Sequence, residues 1–279
     1  VVRNRRGVAL ILVLSLLVVL GLVAFDVAAR ARAESNMLID LKARAAGRYA
    51  AESGILMART AVQRWVDSTP LPPERARLFH HLSTLNDSLT HIGVGAAEFD
   101  AAVLDLNARI DLIHSSVGTL QGLFSQFIPK DRAKTVALAL KNEPISRFAE
   151  LARVTGADDS LALSVAPYVT IWGDGLIDIN TAPEAVLASL PGIGRAVAQR
   201  IVSRREAGEV FTSSDAFRPT SATGPVSAEG FPSLTVAPTR VMLVSRGWQP
   251  GSPMTHEIQA VYVLVGNLLV LQSWEERDR

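Results

Sequence analysis

Hydrophobic and polar positions divide this chain into unequal stretches, and the first of them governs the rest. From Val8 to Phe25 only Ser15 and Gly21 are neither aliphatic nor aromatic, and nothing is charged before Asp26. As a helix this run spans ~27 Å, close to the ~30 Å hydrocarbon thickness of a bilayer. No small-residue cleavage box follows it, unlike the end of an ordinary secretory signal. A helical period continues instead: Leu38, Leu41, Ala45, Tyr49, Ser53 and Leu56 step by three or four and draw one stripe. No proline interrupts the chain before Pro70. The pattern predicts one rod, with a transmembrane part over 8–25 and a soluble spine over 26–66. Val8, Leu12, Leu16, Val19 and Phe25 are its expected packing positions in the membrane.

The periodicity then changes twice. The breaker cluster of residues 67–74 ends the spine, and 75–89 reads as a short helix. Residues 67–113 are expected to hold a loop and the first strands: Ala97–Leu106 alternates as a strand, and Asp105–Asp111 is its turn. Residues 114–220 are expected to form a helical insert, with 117–166 mostly helical and not a sheet. Its helices are Thr119–Phe127, Lys130–Lys141, Ile145–Val154 and Asp158–Val165, separated by Pro129, Pro144 and Gly156. Asp131, Ser146 and Asp158 or Asp159 occupy the N-cap positions. Tyr168–Trp172 reads as a short strand. After a Gly/Pro/Ser-rich loop at 221–232, strands are expected at Thr235–Arg246, Thr255–Val265 and Asn267–Trp274, with a tight reversal at Gly266-Asn267. Residues 221–279 are thus C-terminal antiparallel strands, and the chain is α+β.

The most specific wording lies at 176–205. Thr181, with Glu184 three residues on and Pro183 between them, has the spacing of a capping box. A first helix stops at Pro191. Gly192 and Gly194 let the chain turn around Ile193, which must point inward, and a second helix runs over Arg195–Ala207 with Ala198, Ile201 and Val202 inside. This is a helix-hairpin-helix signature, extending over 178–218, with Pro191, Gly192, Ile193 and Gly194 as its turn. Such a turn aims backbone N–H groups at a phosphate oxygen. Its charge does not favour that use: Arg195, Arg200, Arg204, Arg205 and Arg218 are balanced by Asp178, Glu184, Glu206, Glu209 and Asp215. Duplex affinity comes mainly from phosphate neutralisation, and no base-stacking aromatic lies in the second helix. A packing module is the favoured reading, and no nucleic acid is expected as partner.

Composition narrows the chemistry. With 279 residues, 48% hydrophobic, the chain can build one or two cores beyond its anchor. A net charge of +1 gives no global electrostatic case for an acidic partner. The absence of cysteine excludes disulfides and thiol catalysis. His80, His81 and His91 lack ligand spacing, while His114 and His256 are isolated. Asp105, Asn107 and Asp111 lack the glycine and terminal glutamate of a calcium loop, so they read as turn chemistry and no cofactor is assigned. No catalytic constellation occurs, and an enzyme is not expected.

Arg3, Arg5, Arg6 and Gly7, set directly against an apolar helix that then supports a head, resemble the class III signal of type IV pilins and type II secretion pseudopilins. The resemblance implies cleavage after Gly7 by a prepilin peptidase and methylation of Val8. Counted from Val8, the fifth residue is Leu12, where most members carry a glutamate that neutralises a neighbouring subunit's amine. Lacking that glutamate resembles the type II secretion minor pseudopilin K. The order of spine, strand, insert with Asn180-Thr181-Ala182-Pro183 hairpin and terminal strands is similar to that family across nearly the whole chain. It implies a pilin-like fold, a long N-terminal helix on a small antiparallel sheet with a helix-hairpin-helix (SAM-like) insert. It further implies a tip subunit that initiates and caps a pseudopilus, joins the I and J minor pseudopilins, and crosses the bacterial inner membrane once with its head in the periplasm. The insert is short for that family. The DNA receptor of natural competence carries nearly the same hairpin wording behind a membrane helix, which keeps a membrane-anchored DNA-binding protein as the alternative, beside a tip subunit of a related type IV pilus.

Overall fold

The computed structural model describes residues 5–69, 71–213 and 234–278. Helix α1 runs unbroken over Arg5–Ser68, 64 residues and ~96 Å of rod at 1.5 Å per residue. It is one element because nothing in it breaks a helix, and it ends as the proline cluster arrives. Pro72 and Pro73 then start α2, Pro72–Phe79, where a missing N–H costs nothing. The single helix expected over 75–89 is two, α2 and α3 (Leu82–Asp87), separated at His80 and His81.

A hairpin not foreseen in the sequence follows. β1 (Ile92–Val94) turns through Gly95, whose φ is +62°, into β2 (Ala97–Asp105). β2 pairs antiparallel not with the next strand in the chain but with β7, whose residues Arg240–Trp248 lie more than 130 positions on. β8 (Thr255–Val265) and β9 (Leu268–Asp278) complete a five-stranded antiparallel sheet in the order β1-β2-β7-β8-β9. Gly266, at φ +61°, makes the β8–β9 reversal. Because β2 and β7 are neighbours, everything between them enters and leaves the sheet at one place. The insert is a bulge on one hydrogen-bonded pair, and the head's sheet is closed without it.

Alternation builds the head's core. Ala97, Phe99, Ala101 and Val103 of β2, Val241 and Leu243 of β7, and Ile258, Ala260 and Tyr262 of β8 point to one face. That face receives α1 through Ala50, Ala51, Ile55, Ala58, Val62 and Val66. The approach is close because the helix offers glycine: a Cβ on Gly54 would lie 2.2 Å from Ser245 Oγ, and one on Gly247 would lie 2.1 Å from the Gly47 carbonyl oxygen.

The insert has its own core, around Leu120, Leu123, Phe124, Val136, Leu140, Leu151, Val165, Ile179 and Leu187. It contains α4 (Val117–Phe124), α5 (Lys130–Asn142), α6 (Asp159–Val165), α7 (Glu184–Ala188) and α8 (Arg195–Glu206). Expectations are corrected at several points. The helix expected over 145–154 is a 3-10 segment, Phe148–Arg153. Neither Asp131 nor Ser146 is an N-cap: Pro129 precedes α5, and the Ser146 N–H is taken by Glu150 Oε2 at 2.9 Å. Asp158 does cap α6, accepting from the Leu161 N–H at 2.8 Å. The strand expected over Tyr168–Trp172 is present as β4 (Val169–Thr170), and the insert holds further short strands. β3 (Ile110–Asp111) pairs in parallel with β4, and β5 (Ile177–Asp178) with β6 (Leu234–Thr235). The strand expected over 235–246 is therefore split. Its first residues serve the insert, where Val236 is buried, and only from Arg240 does the chain rejoin the head. The loop at 221–232 lies outside the described residues.

Candidate functional site

Three surfaces carry chemistry: the apolar rod, the hairpin, and the junction between head and insert. Gly7 and Val8 lie within α1. Beyond them Leu12, Leu16, Val19 and Phe25 are exposed, Phe25 at 72%. This stretch is long and apolar enough to cross a membrane, and from Leu12 onward none of its described residues is covered by the rest of the chain. The stripe identified in the sequence continues it on the solvent side: Leu38, Leu41, Tyr49 and Leu56 are all exposed, Tyr49 at 67% and Leu56 at 60%. It is not the face that meets the sheet. The sheet-facing residues are Ala50, Ala51, Ile55, Ala58, Val62 and Val66 with Gly47 and Gly54, so α1 has one face committed to the head and another left open.

In the hairpin the turn residues adopt the expected arrangement. Gly192 has φ +81°, a backbone state that L side chains rarely adopt, and Ile193 is 1% exposed with its N–H on the Leu190 carbonyl at 3.0 Å. Gly194 is the N-cap of α8, and its carbonyl accepts from the Val197 and Ala198 N–H groups at 3.0 Å. The capping assignment fails. Pro183, not Thr181, is the N-cap of α7, and Glu184 is the first helical residue, 3.6 Å from Arg195. The Thr181 hydroxyl instead donates to Asp105 Oδ2. A buried carboxylate oxygen gains more from a hydroxyl than does a helix N–H that water can reach.

That hydrogen bond belongs to the junction, where turn residues expected to act separately, Asp105 and Asn107 in one segment and Asp178 and Thr181 in the other, meet. Two similar turns face each other there, Asp105-Leu106-Asn107 and Asp178-Ile179-Asn180. In each, Asp Oδ1 accepts from the Asn N–H at 2.8 Å. In each, the Asn carboxamide ties distant backbone. Asn107 donates to the Leu176 carbonyl at 3.0 Å and to Asp174 at 2.9 Å, and accepts from the Thr239 N–H at 2.9 Å. Asn180 donates to the Val236 and Phe211 carbonyls, at 2.7 and 2.8 Å, and accepts from the Phe211 N–H at 2.8 Å. The repeated Asp-x-Asn triplet was the available signal. Asn180→Ala strands three buried backbone groups, so unfolding of the full chain in detergent is expected to show a loss on the order of 3 kcal/mol, at ~1 kcal/mol per bond.

Both aspartates are buried, Asp178 completely. Burial pushes Asp105 up to about 6, opposed by its hydrogen bonds from Thr181 and Asn107. Burial, and then the neighbouring Asp105 charge, raise Asp178 well above the ordinary carboxylate range. Asp105, Asn107 and Asp111 act as turn residues: Asp111 Oδ1 accepts from the Ile113 N–H at 2.8 Å. No cluster of three or more acidic or histidine side chains is arranged to hold a metal among the described residues.

The hairpin's cations are mostly engaged. Arg204 pairs with Glu209 and lies over the Phe211 ring at 5.0 Å. Arg205 turns inward to the Ile179 and Ala182 carbonyls at 3.0 and 2.8 Å, and burial lowers its pKa. Arg200 is exposed and makes no ion pair among the described residues. Arg218 and Asp215 lie outside them.

Residues 174–226 match the helix-hairpin-helix motif family. No curated protein matches the chain. Among solved structures, the chain is similar to a chain of the GspK-GspI-GspJ complex of the type 2 secretion system of enterotoxigenic Escherichia coli. The TM-score is 0.51 at 16% identity, over 72% of this chain and 93% of that one. The fold is thus pilin-like: a long N-terminal helix on an antiparallel sheet, with a helical region that carries the hairpin motif.

Proposed function

We propose that this chain is a minor pseudopilin of a type II secretion system, of the K type, acting at the tip of the pseudopilus. Val8–Phe25 anchors it in the bacterial inner membrane, the head stands in the periplasm, and pseudopilins of the I and J types join it through the open stripe of α1. One observation carries the reading. A single helix is bare and apolar from Leu12 to Phe25, exposes Leu38, Leu41, Tyr49 and Leu56 next, and packs on a sheet through its opposite face. That is how a subunit must be built if neighbouring helices are to surround it while its own head stays folded. The likeness to a chain from the type 2 secretion complex supports it. The insert, a separate core set between β2 and β7, supplies bulk at the head that hinders addition of a further subunit beyond it.

A prepilin peptidase acting on this chain leaves Val8 as its first residue. N-terminal sequencing of membrane-extracted protein is expected to begin at Val8, N-methylated, and an intact leader removes the pilin reading. Tyr49→Ser with Leu56→Ser is expected to lower co-purification of I- and J-type pseudopilins about tenfold, since buried aromatic and aliphatic anchors dominate such contacts. The melting temperature of the head should stay unchanged, because both side chains are exposed.

The helix-hairpin-helix match favours a second reading, a membrane-anchored DNA-binding protein. Against it stand the arginines already tied to Glu184, Glu209 and backbone carbonyls. A gel-shift of the full chain at low salt decides: salt-sensitive retardation of duplex DNA supports this second reading, and no shift rejects it.

A further inference from the structure

Head and insert are two packed bodies with little apolar surface between them. Every residue of the head's core lies before 104 or after 240. Every residue of the insert's core except Ala76 of α2 lies between 110 and 236. The chain crosses from one body to the other at 106–109 and again at 237–239. These crossings are tied side by side, since Asn107 Oδ1 accepts from the Thr239 N–H at 2.9 Å and the Arg240 N–H at 3.1 Å. On one flank the bodies stand apart. An open trough of ≈ 750 Å³ lies between Phe148, Ala166 and Trp172 of the insert and Met242 and Gln259 of the sheet. Two adjacent linkers beside a gap are the parts of a hinge.

The contacts that set the insert's orientation are polar. The Thr181 hydroxyl donates to Asp105 Oδ2, the Arg240 guanidinium to the Trp172 carbonyl at 3.2 Å, and Asn107 to the Leu176 carbonyl at 3.0 Å. Among them the buried carboxyls of Asp105 and Asp178 lie within hydrogen-bonding reach of each other. Arg109 and Arg205 are the cations that face the pair, and Glu206 stands beside Arg205. Neither arginine donates a hydrogen bond to the two carboxyls among the described residues.

Neither turn needs an ionisable acid. In both, Asp Oδ1 takes the asparagine N–H, as a carboxamide oxygen would, and Asp178 Oδ2 meets no N–H or hydroxyl donor. What the acids add is dependence on a proton. With it, the pair is a hydrogen bond across the junction. Without it, two charges face each other away from water, and repulsion and lost hydration both press them apart. Separating the bodies returns both carboxylates to water and leaves each core packed.

We propose that the junction is a proton-held hinge. One proton shared by Asp105 and Asp178 keeps the insert docked on the head, and its loss lets the insert swing about 106–109 and 237–239 as a folded body. Burial raises both docked-state pKa values, Asp105 to about 6 and Asp178 well above the ordinary carboxylate range. Docking is therefore complete below pH ~4 and gives way as pH rises through those values. The hinge lies within the chain, so it operates whichever partner α1 meets.

The chain has no cysteine, so spin labels at Gly93→Cys on β1 and Leu163→Cys on α6 report one distance in the full chain in detergent. A Cβ at 93 meets nothing within 4 Å, and Leu163 is 75% exposed. A single distance is expected at pH ~5, joined toward pH ~9 by a second that differs by at least ~5 Å. The ratio of second to first should rise by up to ~tenfold per pH unit until the docked-state values are passed. Far-UV circular dichroism should not change, because both bodies stay folded. Asp178→Asn should hold the low-pH distance throughout, and Asp105→Asn should do the same if the first variant fails to fold. One unchanged wild-type distance up to pH ~9 overturns the proposal. So does a distance change accompanied by loss of circular dichroism, which is unfolding and not a hinge. If the asparagine variants open as wild type does, another group drives the motion and the proposal falls.

Discussion

Gly247→Ala is expected to unfold the head, although it adds a single methyl group. The Cβ would lie 2.1 Å from the carbonyl oxygen of Gly47 and 2.4 Å from the backbone nitrogen of Ala51, both on α1. Neither atom can rotate away. The helix would have to lift from the sheet over the turns that hold Ala50, Ala51 and Ile55 against Phe99 and Leu243. Overpacking usually costs 1–3 kcal/mol because side chains yield, and here only backbone could, so about 3 kcal/mol or more is expected. For a head of this size that lowers the melting temperature by more than about 10 °C, read by Trp248 fluorescence of the full chain in detergent. Two comparisons isolate the cause. Gly93→Ala meets nothing within 4 Å and should change stability by less than about 0.5 kcal/mol. Gly54→Ala strikes a side chain, Ser245 Oγ at 2.2 Å, so Ser245→Gly should restore part of its loss, whereas no side-chain change should rescue Gly247→Ala. A wild-type melting temperature for Gly247→Ala would mean that the helix does not sit on the sheet as described.

The same glycines explain what the sequence did and did not reveal. The rod was legible because length, apolarity and lack of proline all act locally. Its sheet-facing side was not. Ala43, Ala50, Ala51 and Ala58 are weakly apolar, so a search for periodic hydrophobicity selected the larger residues Leu38, Leu41 and Leu56, which are exposed. Small residues mark the turns where β7 comes close, at Gly47, Ala50, Ala51 and Gly54, while Ile55, Val62 and Val66 fill the rest of that face. Strands β2 and β8 were legible through alternation against that one face. β9 was expected to end at Trp274 and continues to Asp278, because an edge strand with both faces wet has no apolar period to read. The hairpin turn was legible from glycine and proline alone. Thr181 was misassigned as a cap because its partner, Asp105, lies 76 positions away, and no local rule weighs such a competitor.

That competitor underlies the second large effect. Asp105 ends a strand of the head and Asp178 ends a strand of the insert, so their interaction joins the two cores. Asp178 Oδ2 meets no N–H or hydroxyl donor, its carboxyl lies within hydrogen-bonding reach of Asp105, and the nearby Arg205 donates to carbonyls rather than to either carboxylate. Two buried carboxylates this close hold at least one proton between them. Both folded-state pKa values lie above the ~3.9 of an unfolded aspartate. The pair's contribution is therefore fully present below pH ~4 and is lost as pH rises through the folded values, about 6 for Asp105 and well above the ordinary carboxylate range for Asp178. Asp178→Asn keeps an oxygen for the Asn180 N–H, offers an N–H to Asp105, and removes one ionisation. Its unfolding free energy is expected to exceed wild type's at pH 8 by about 2 kcal/mol or more, to approach it near pH 4, and to lose most of the wild-type decline between. Amide exchange at Asn107 and Asn180 should show the same crossover locally, with wild-type protection falling as the pair is forced to ionise. If wild type and Asp178→Asn keep parallel pH profiles, the two carboxyls are not sharing a proton, and head and insert are held together by the asparagine hydrogen bonds alone.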